Sequence, residues 1–359
     1  MTDNKISFYQ YSFKELQEFF RANSLNIAQA SLLFRHYYKE KNTSFCDHHN
    51  FSKGAQELVK THLDFTLPEI DIVHESSDST VKLLVKLKDG QRVESVLIPF
   101  QNKYTICIST QVGCAMKCSF CFTGTQGLKR HLKTDEIIGQ FILAWKWLEK
   151  NRPNDHQLKN IVYMGQGEPL HNFDAVKKAS EIFLDQNGMS LGIQKITVST
   201  AGYLPGLKRW NDEMPGVNIA LSLHSVFEEK RNKLIPINER YPLPEVMDYI
   251  DSIPLARKQY VIYEYLLIKD FNDTEADAEA TGAFLKGRQA IINLIPFNPF
   301  PGSEFERSED AKILRFKAII ESYNLPALIR TTKGDDILAA CGQLNTKVKN
   351  PENDSKVVP

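Results

Sequence analysis

The segment Cys114-Ala-Met-Lys-Cys118-Ser-Phe-Cys121 gathers three of the chain's six cysteines into one short loop. Thiolates this close repel one another, and a soft metal is what such a cluster usually holds. A structural zinc takes four protein ligands in a tetrahedron, and no fourth cysteine lies nearby. A cubane 4Fe–4S cluster bound through three cysteines keeps one iron open for a further, reactive ligand. Three other readings compete. Disulfides fit poorly, because the chain opens Met1-Thr-Asp-Asn-Lys-Ile6 without an apolar signal segment, which makes a reducing cytoplasm the default. Zinc completed by a distant His or Cys stays open on spacing alone. Simple packing is the weakest, since buried thiols have no need of polar Lys117 and Ser119 between them.

Other polar residues recur where apolar runs end. In Gly165-Gln-Gly167-Glu168-Pro169 the glycines let backbone approach a ligand and Glu168 offers a carboxylate to an ammonium group; read alone, this is a strand-to-helix turn. Ser199-Thr200-Ala-Gly202 offers hydroxyls to a ribose or carboxylate, or forms a capping turn. His224, in Ser222-Leu223-His224-Ser225, reads first as a satisfied structural histidine, with its strand-end position favouring a role. Asn298, before Pro299, belongs to a turn whose amide is also able to read an adenine edge. Cys107 and Cys341 each read as small buried hydrophobes, although Gly342 beside Cys341 leaves room for a substrate. Cys46 carries no evident chemistry, and Glu94, alternating with apolar neighbours, reads as part of a solvated strand face.

The elements that must position these residues follow from periodicity. Residues 13–63 read as short amphipathic helices, and residues 80–98 change to the alternation of a hairpin. From Tyr104, strands at 105–110, 160–164, 195–199, 217–223, 261–268 and 290–295 alternate with helices at 134–148, 174–186, 205–213, 244–252 and 274–286. That order predicts an α/β fold with a parallel sheet, open or only partly closed as a barrel, and function at the carboxyl ends of its strands. The expected divisions are a helical N-terminal domain (1–75), a β-hairpin extension (76–103), the barrel (104–344) and a polar, frayed tail (345–359). No apolar run approaches the length that spans a bilayer. Lys plus Arg and Asp plus Glu stand at 44 each, so any nucleic-acid contact rests on a local patch. Lys129, Arg130, His131 and Lys133 beside the cysteine loop form one, unless they are simply a solvated loop.

From Arg92 to Leu344 the chain resembles the RlmN/Cfr family of radical S-adenosylmethionine (SAM) RNA methyltransferases. The motifs that carry the resemblance are Arg92-Val-Glu-Ser-Val, Cys107-Ile-Ser-Thr-Gln-Val-Gly-Cys with its cysteine cluster, Gly165-Gln-Gly-Glu-Pro and Leu221-Ser-Leu-His. They continue with Pro236-Ile-Asn, Asn293-Leu-Ile-Pro-Phe-Asn-Pro-Phe-Pro-Gly and Gly334-Asp-Asp-Ile-Leu-Ala-Ala-Cys-Gly-Gln-Leu. The resemblance implies a partial (βα)6 barrel with a small helical, RNA-binding N-terminal domain. It implies a 4Fe–4S cluster on Cys114, Cys118 and Cys121, with SAM contacts at Gly167, Glu168, Ser199, Ser222, Leu223, His224 and Asn298. Two SAM molecules are used per turnover: one methylates Cys341, and the other yields a 5′-deoxyadenosyl radical that activates the new methyl group. Glu94 removes a ring proton from the adenine, and Cys107 releases the product through a transient disulfide with Cys341.

The family's substrates are an adenosine of the peptidyl transferase centre in 23S rRNA and the adenosine 3′ of the anticodon in some tRNAs. A flavodoxin-like electron donor and a monomeric, cytoplasmic enzyme go with them. Lys333-Gly-Asp335-Asp336-Ile and Asn298-Pro-Phe-Pro-Gly resemble the carbon-2 group rather than the carbon-8 group. Two positions depart from the family pattern: Phe122 stands where a small residue is usual, and Gln166 where Met is usual.

Overall fold

The computed structural model describes residues 5–41, 51–154 and 157–346. Cys46 and most of the expected polar tail lie outside the described residues. A short parallel pair, β1 (Ile6–Ser7) and β2 (Leu63–Asp64), brackets three helices: α1 (Phe13–Ala22), α2 (Ile27–Tyr38) and α3 (Lys53–His62). Ser12 and Glu15 form a capping box that starts α1. Phe8, Phe20 and Phe34 have no exposed surface, and they share one continuous core with the barrel.

The chain then enters a ten-stranded sheet. Its antiparallel part is β3 (Glu69–Glu75), β4 (Val81–Lys86) and β5 (Arg92–Phe100), which hands over to β6 (Lys103–Cys107). The strand β3 falls inside the segment expected to be a helical domain, so the hairpin is a three-stranded unit. A small ribbon, β7 (Gln111–Gly113) with β8 (Leu128–His131), closes the cysteine loop.

Beyond it come α4 (Thr134–Asn151), β9 (Leu158–Tyr163), α5 (Phe173–Leu184), β10 (Ile196–Thr200) and α6 (Leu204–Glu213). The chain continues through β11 (Asn218–Ser222), α7 (Glu228–Leu234), α8 (Leu243–Asp251), β12 (Val261–Leu267) and α9 (Glu275–Leu285). It ends with β13 (Ala290–Pro296), α10 (Asp310–Ser322) and β14 (Ala327–Ile329). The strands β6, β9, β10, β11, β12, β13 and β14 are all parallel neighbours in that order. The six expected barrel strands are present, and β14 adds a short edge to them. Tyr163, Ser199, Ser222, Glu264 and Ile295, from five successive strands, line one cavity. The sheet therefore folds around it as an open barrel. Among the described residues no helix is long and apolar enough to cross a membrane.

Candidate functional site

The cysteine loop leaves β7 and returns to β8, and its shape is set by backbone bonds. Cys114 N–H donates to the Gly127 carbonyl at 3.1 Å, Cys121 N–H to Cys118 at 3.2 Å and Gly124 N–H to Cys121 at 2.9 Å. Ser119, whose polarity argued against simple packing, fastens the loop to the end of α7: its N–H meets the Leu234 carbonyl and its hydroxyl the Lys233 carbonyl. Met116, Leu266, Phe297 and Phe300 form a separate apolar cluster against which Cys114, Cys118, Phe120 and Phe122 pack. This shell limits water around the thiols.

All three thiols line the cavity at the carboxyl ends of the barrel strands. Burial raises the pKa of each, to about 12 for Cys114, and mutual repulsion raises Cys114 and Cys118 further. Protons are thus hard to remove unless a cation replaces them, as a metal cluster does. Yet among the described residues no three His, Cys, Asp or Glu side chains close on a single-ion site.

Glu168 lines the same cavity and is 3% exposed. Its Oε2 accepts from Ala201 N–H at 2.8 Å and its Oε1 from Leu170 N–H at 3.2 Å. Burial nevertheless pushes its carboxyl up to about 7, and no side-chain cation offsets that among the described residues. A buried carboxyl lacking a cation fits an incoming ammonium group such as that of SAM. Gly167, Ser199, Ser222 and His224 are brought to the same wall.

His224 adopts a left-handed φ of 55° at the end of β11. Its Nδ1 accepts from Leu266 N–H at 3.0 Å, so the ring proton sits on Nε2. Burial and Arg231 hold the imidazole neutral, with a pKa pushed down to about 3. The two remaining expected contacts are placed differently. Leu223 has its side chain in the core. Asn298 is turned to the protein, donating to the Cys341 carbonyl at 3.2 Å and accepting from Thr332 at 2.9 Å.

The glycines of Gly165-Gln-Gly167 serve a packing purpose. A Cβ on Gly165 would sit 2.7 Å from the Ile108 backbone, and one on Gly167 2.6 Å from Gln111. They admit the chain's own strand, and both also line the cavity. Gly342 behaves alike: a Cβ on it would sit 3.1 Å from the Phe120 carbonyl, while its own carbonyl accepts from Phe122 N–H at 2.7 Å. Phe122 itself stacks on Phe300, centroids 4.9 Å apart.

Cys341 lines the cavity with exposed surface opening into it. Burial among surrounding protein raises its thiol, and Glu264 and Cys121 raise it further. Cys107 is buried at the end of β6, and burial with the neighbouring Cys341 drives its thiol well up. It packs with Val96, Ala339 and Leu344 on the flank of the loop that bears Cys341. Both cysteines are free thiols.

Glu94 lies on that flank too, and it is not solvated. It is 3% exposed, its Oε1 is 3.2 Å from Lys82 Nζ, and its N–H donates to Gln166 Oε1 at 3.1 Å. Gln166 thus bridges the Glu94 strand and the loop carrying Glu168. Near the cysteine loop, Arg130 is held by Asp89 and bidentately by Glu136, whereas Lys133 is exposed.

Three residues that motif reading passed over belong to this region. Arg231, 1% exposed, donates to the Ser222, Leu223 and Ala201 carbonyls and to Asn238, tying the ends of β10 and β11 together. Glu264 lines the cavity from β12 and accepts from Asn293 at 2.8 Å. Lys82 is 7% exposed in β4. A charged residue within a run as apolar as Val81-Lys82-Leu83-Leu84-Val85 is the sequence signal that marks Lys82.

Comparison with known proteins gives a consistent result. Residues 108–280 match the family model described as the Radical SAM superfamily. A protein of Bartonella henselae named dual-specificity RNA methyltransferase RlmN is 40% identical over 364 residues, covering 96% of this chain and 89% of its own length. One of the same name from Syntrophus aciditrophicus is 37% identical, covering 96% of this chain and 97% of its own length. The crystal structure of a radical SAM methyltransferase from Sphaerobacter thermophilus superposes with a TM-score of 0.85 at 35% identity, covering 94% of this chain and 99% of that one.

Proposed function

The chain belongs to the RlmN family of radical SAM RNA methyltransferases, and we propose that it methylates carbon 2 of adenosine in 23S rRNA and in tRNA. The relatives' name, dual-specificity RNA methyltransferase, supports the two substrates. The carbon-2 reading rests on the double Asp of Asp335-Asp336 and the Pro-rich segment after Asn298. The observation that carries the reaction type is Cys341, outside the three-thiol loop yet on the same cavity wall, with Cys107 beside it. In this reading Cys114, Cys118 and Cys121 hold a 4Fe–4S cluster. Loaded there, that cluster would supply the single electron for reductive cleavage of a bound SAM.

The protein's own groups do the rest. Glu168 takes the ammonium of SAM, and Ser199, Ser222 and the Nε2–H of His224 bound the pocket around it. The Cys341 sulfur accepts a methyl group from a first SAM: a new S–C bond forms, the sulfonium S–C bond breaks, and the thiol proton leaves. After that methyl has lost a hydrogen atom, its carbon joins the adenine ring. An amidine carbon is electron-poor and does not attack a methyl cation donor, so radical addition is the chemistry the target requires. Glu94 then accepts the ring proton, and the unpaired electron left on the adduct returns to the centre that supplied the electron for SAM cleavage, so that a closed-shell adduct remains. Cys107 bonds to the Cys341 sulfur, and the departing methylene keeps the electron pair of the broken S–C bond and is protonated to methyl.

The helices within residues 1–75 and the exposed Lys129 and Lys133 are the surfaces we assign to RNA. Nucleoside mass spectrometry of rRNA and tRNA from a deletion strain tests the assignment. Loss of 2-methyladenosine supports it; unchanged 2-methyladenosine, or loss of 8-methyladenosine instead, refutes it.

A further inference from the structure

We propose that Lys82 is a positioning residue for methyl transfer: one buried ammonium holds Glu94 as a carboxylate and ties it to the loop that carries Cys341. The proposal rests on the reading above, in which Glu94 accepts the ring proton.

A lysine inside a strand with five buried positions in six needs a partner, because an unpaired buried ammonium is costly. The register supplies one. Leu84 pairs with Glu94 and Lys82 with Val96, so Lys82 and Glu94 are diagonal neighbours on one face of the sheet. Lys82 Nζ lies 3.2 Å from Glu94 Oε1 and donates to the Leu338 carbonyl at 3.1 Å. Leu338 stands three residues before Cys341 with a left-handed φ of 50°, a backbone state that a leucine keeps only when held.

The turn between β3 and β4 holds the same loop. Ser76 Oγ and Ser77 N–H donate to Asp336 at 2.6 and 3.1 Å, and Gly334 N–H donates to Asp78 at 3.2 Å. The antiparallel extension is therefore the scaffold of the Cys341 loop, and Lys82 is where that scaffold meets Glu94.

The surroundings of Glu94 leave Lys82 as its charge partner. From β3, His74 pairs opposite Lys82, and burial and that ammonium lower its pKa. From β6 and the C-terminal loop come Cys107 and Cys341, both thiols raised by burial. Gln166, from beyond β9, is an uncharged amide. Burial pushes the Glu94 carboxyl upward, with Lys82 and the Asn345 N–H acting against it. The second oxygen, Oε2, is buried without a hydrogen-bond partner, and in the reading above it is the acceptor position open to the ring proton. In that step the ring C–H bond breaks with its electron pair left in the ring, and an O–H bond forms at Oε2. A neutral Glu94 then releases one anchor of the ammonium, at the stage when Cys341 must reach Cys107.

The test uses cluster-loaded protein, SAM, reductant and an RNA fragment, with K82M, K82R, E94Q and the K82M/E94Q double variant. K82M is expected to lower RNA methylation roughly 100-fold near neutral pH, the size of a lost general base, and to accumulate a covalent protein–RNA adduct. The acid limb of its pH profile moves to higher pH, because removing the cation raises the Glu94 pKa and the carboxylate then exists only at higher pH. K82R restores the wild-type profile, and the double variant is no slower than E94Q. An unshifted K82M profile, a K82R that fails to restore it, or a double variant slower than E94Q overturns the proposal. Should K82M alone not fold, K82R and the charge-free double variant still decide it. E94Q methylating at the wild-type rate removes the premise instead, which keeps the two failures distinct.

Discussion

The N–H of Phe122 donates to the carbonyl of Gly342 at 2.7 Å. The residue after the third thiol of the cysteine loop is thereby joined to the residue after Cys341. Thr123 repeats the link one step on, its hydroxyl meeting the Leu344 carbonyl at 2.8 Å. Two loops more than two hundred residues apart in sequence share one short backbone seam. The separation between the three-thiol loop and Cys341 is thus built into the fold, and in the proposed function this seam fixes the distance over which a short-lived radical must reach one methyl group.

Cys107→Ala leaves the residues that line the cavity in place and removes the sulfur proposed to resolve the adduct. Methylated RNA is expected to fall to background while a covalent protein–RNA species accumulates, visible as a nuclease-sensitive shift on a denaturing gel. A variant that turns over normally, or that stalls without an adduct, contradicts the resolving role.

Glu168→Gln keeps the shape of the buried carboxyl and removes its charge. SAM affinity of the cluster-loaded protein, measured by equilibrium dialysis, is expected to weaken roughly 10- to 100-fold, the value of a hydrogen bond to a charged group. An unchanged affinity would show that the ammonium of SAM lies elsewhere.

Asp78 anchors the Cys341 loop through Gly334. Burial works against its charged form, but hydrogen bonds from Thr80, Ser76 and Gly334 outweigh that and place its carboxyl at about 2. A depressed pKa means that this contribution is complete above the unfolded value near 3.8 and fades as pH falls through about 2. Asp78→Ala is therefore expected to speed hydrogen exchange across 333–342 at neutral pH, with the barrel strands unchanged. Equal exchange in both proteins would remove Asp78 from the clamp.

Arg231→Met leaves three carbonyls and Asn238 without their donor at the ends of β10 and β11. The expected loss of stability is about 3 kcal/mol, read from urea unfolding of the apo chain. A loss below about 1 kcal/mol would mean that water or a neighbour replaces the guanidinium.

The barrel was legible because each strand is a short apolar run followed by an amphipathic helix, and residues 196–200 and 218–222 fall within one position of the runs that mark them. By contrast, β3 was hidden: Glu69-Ile-Asp-Ile-Val-His-Glu75 is mostly exposed, and pairing with β4 rather than burial makes it a strand. The cysteine spacing by itself marked the loop as a metal-binding candidate, with zinc still open beside a cluster. Glu94 did not announce its burial, because alternation along β5 tells that two faces differ but not that the C-terminal loop covers the second. Nor does sequence relate Lys82 to Leu338, a contact made only once the sheet and the loop have met.

The account turns on Cys341 carrying the methyl group to the ring, and the hydrogen content of the product reads this most directly. With SAM trideuterated in its methyl group and protein stripped of earlier methylation, mass spectrometry of the digested RNA is expected to find dideuterated 2-methyladenosine, one deuterium having gone to 5′-deoxyadenosine. Cys341→Ala should yield none. A fully trideuterated product would mean direct transfer from SAM and would contradict the account.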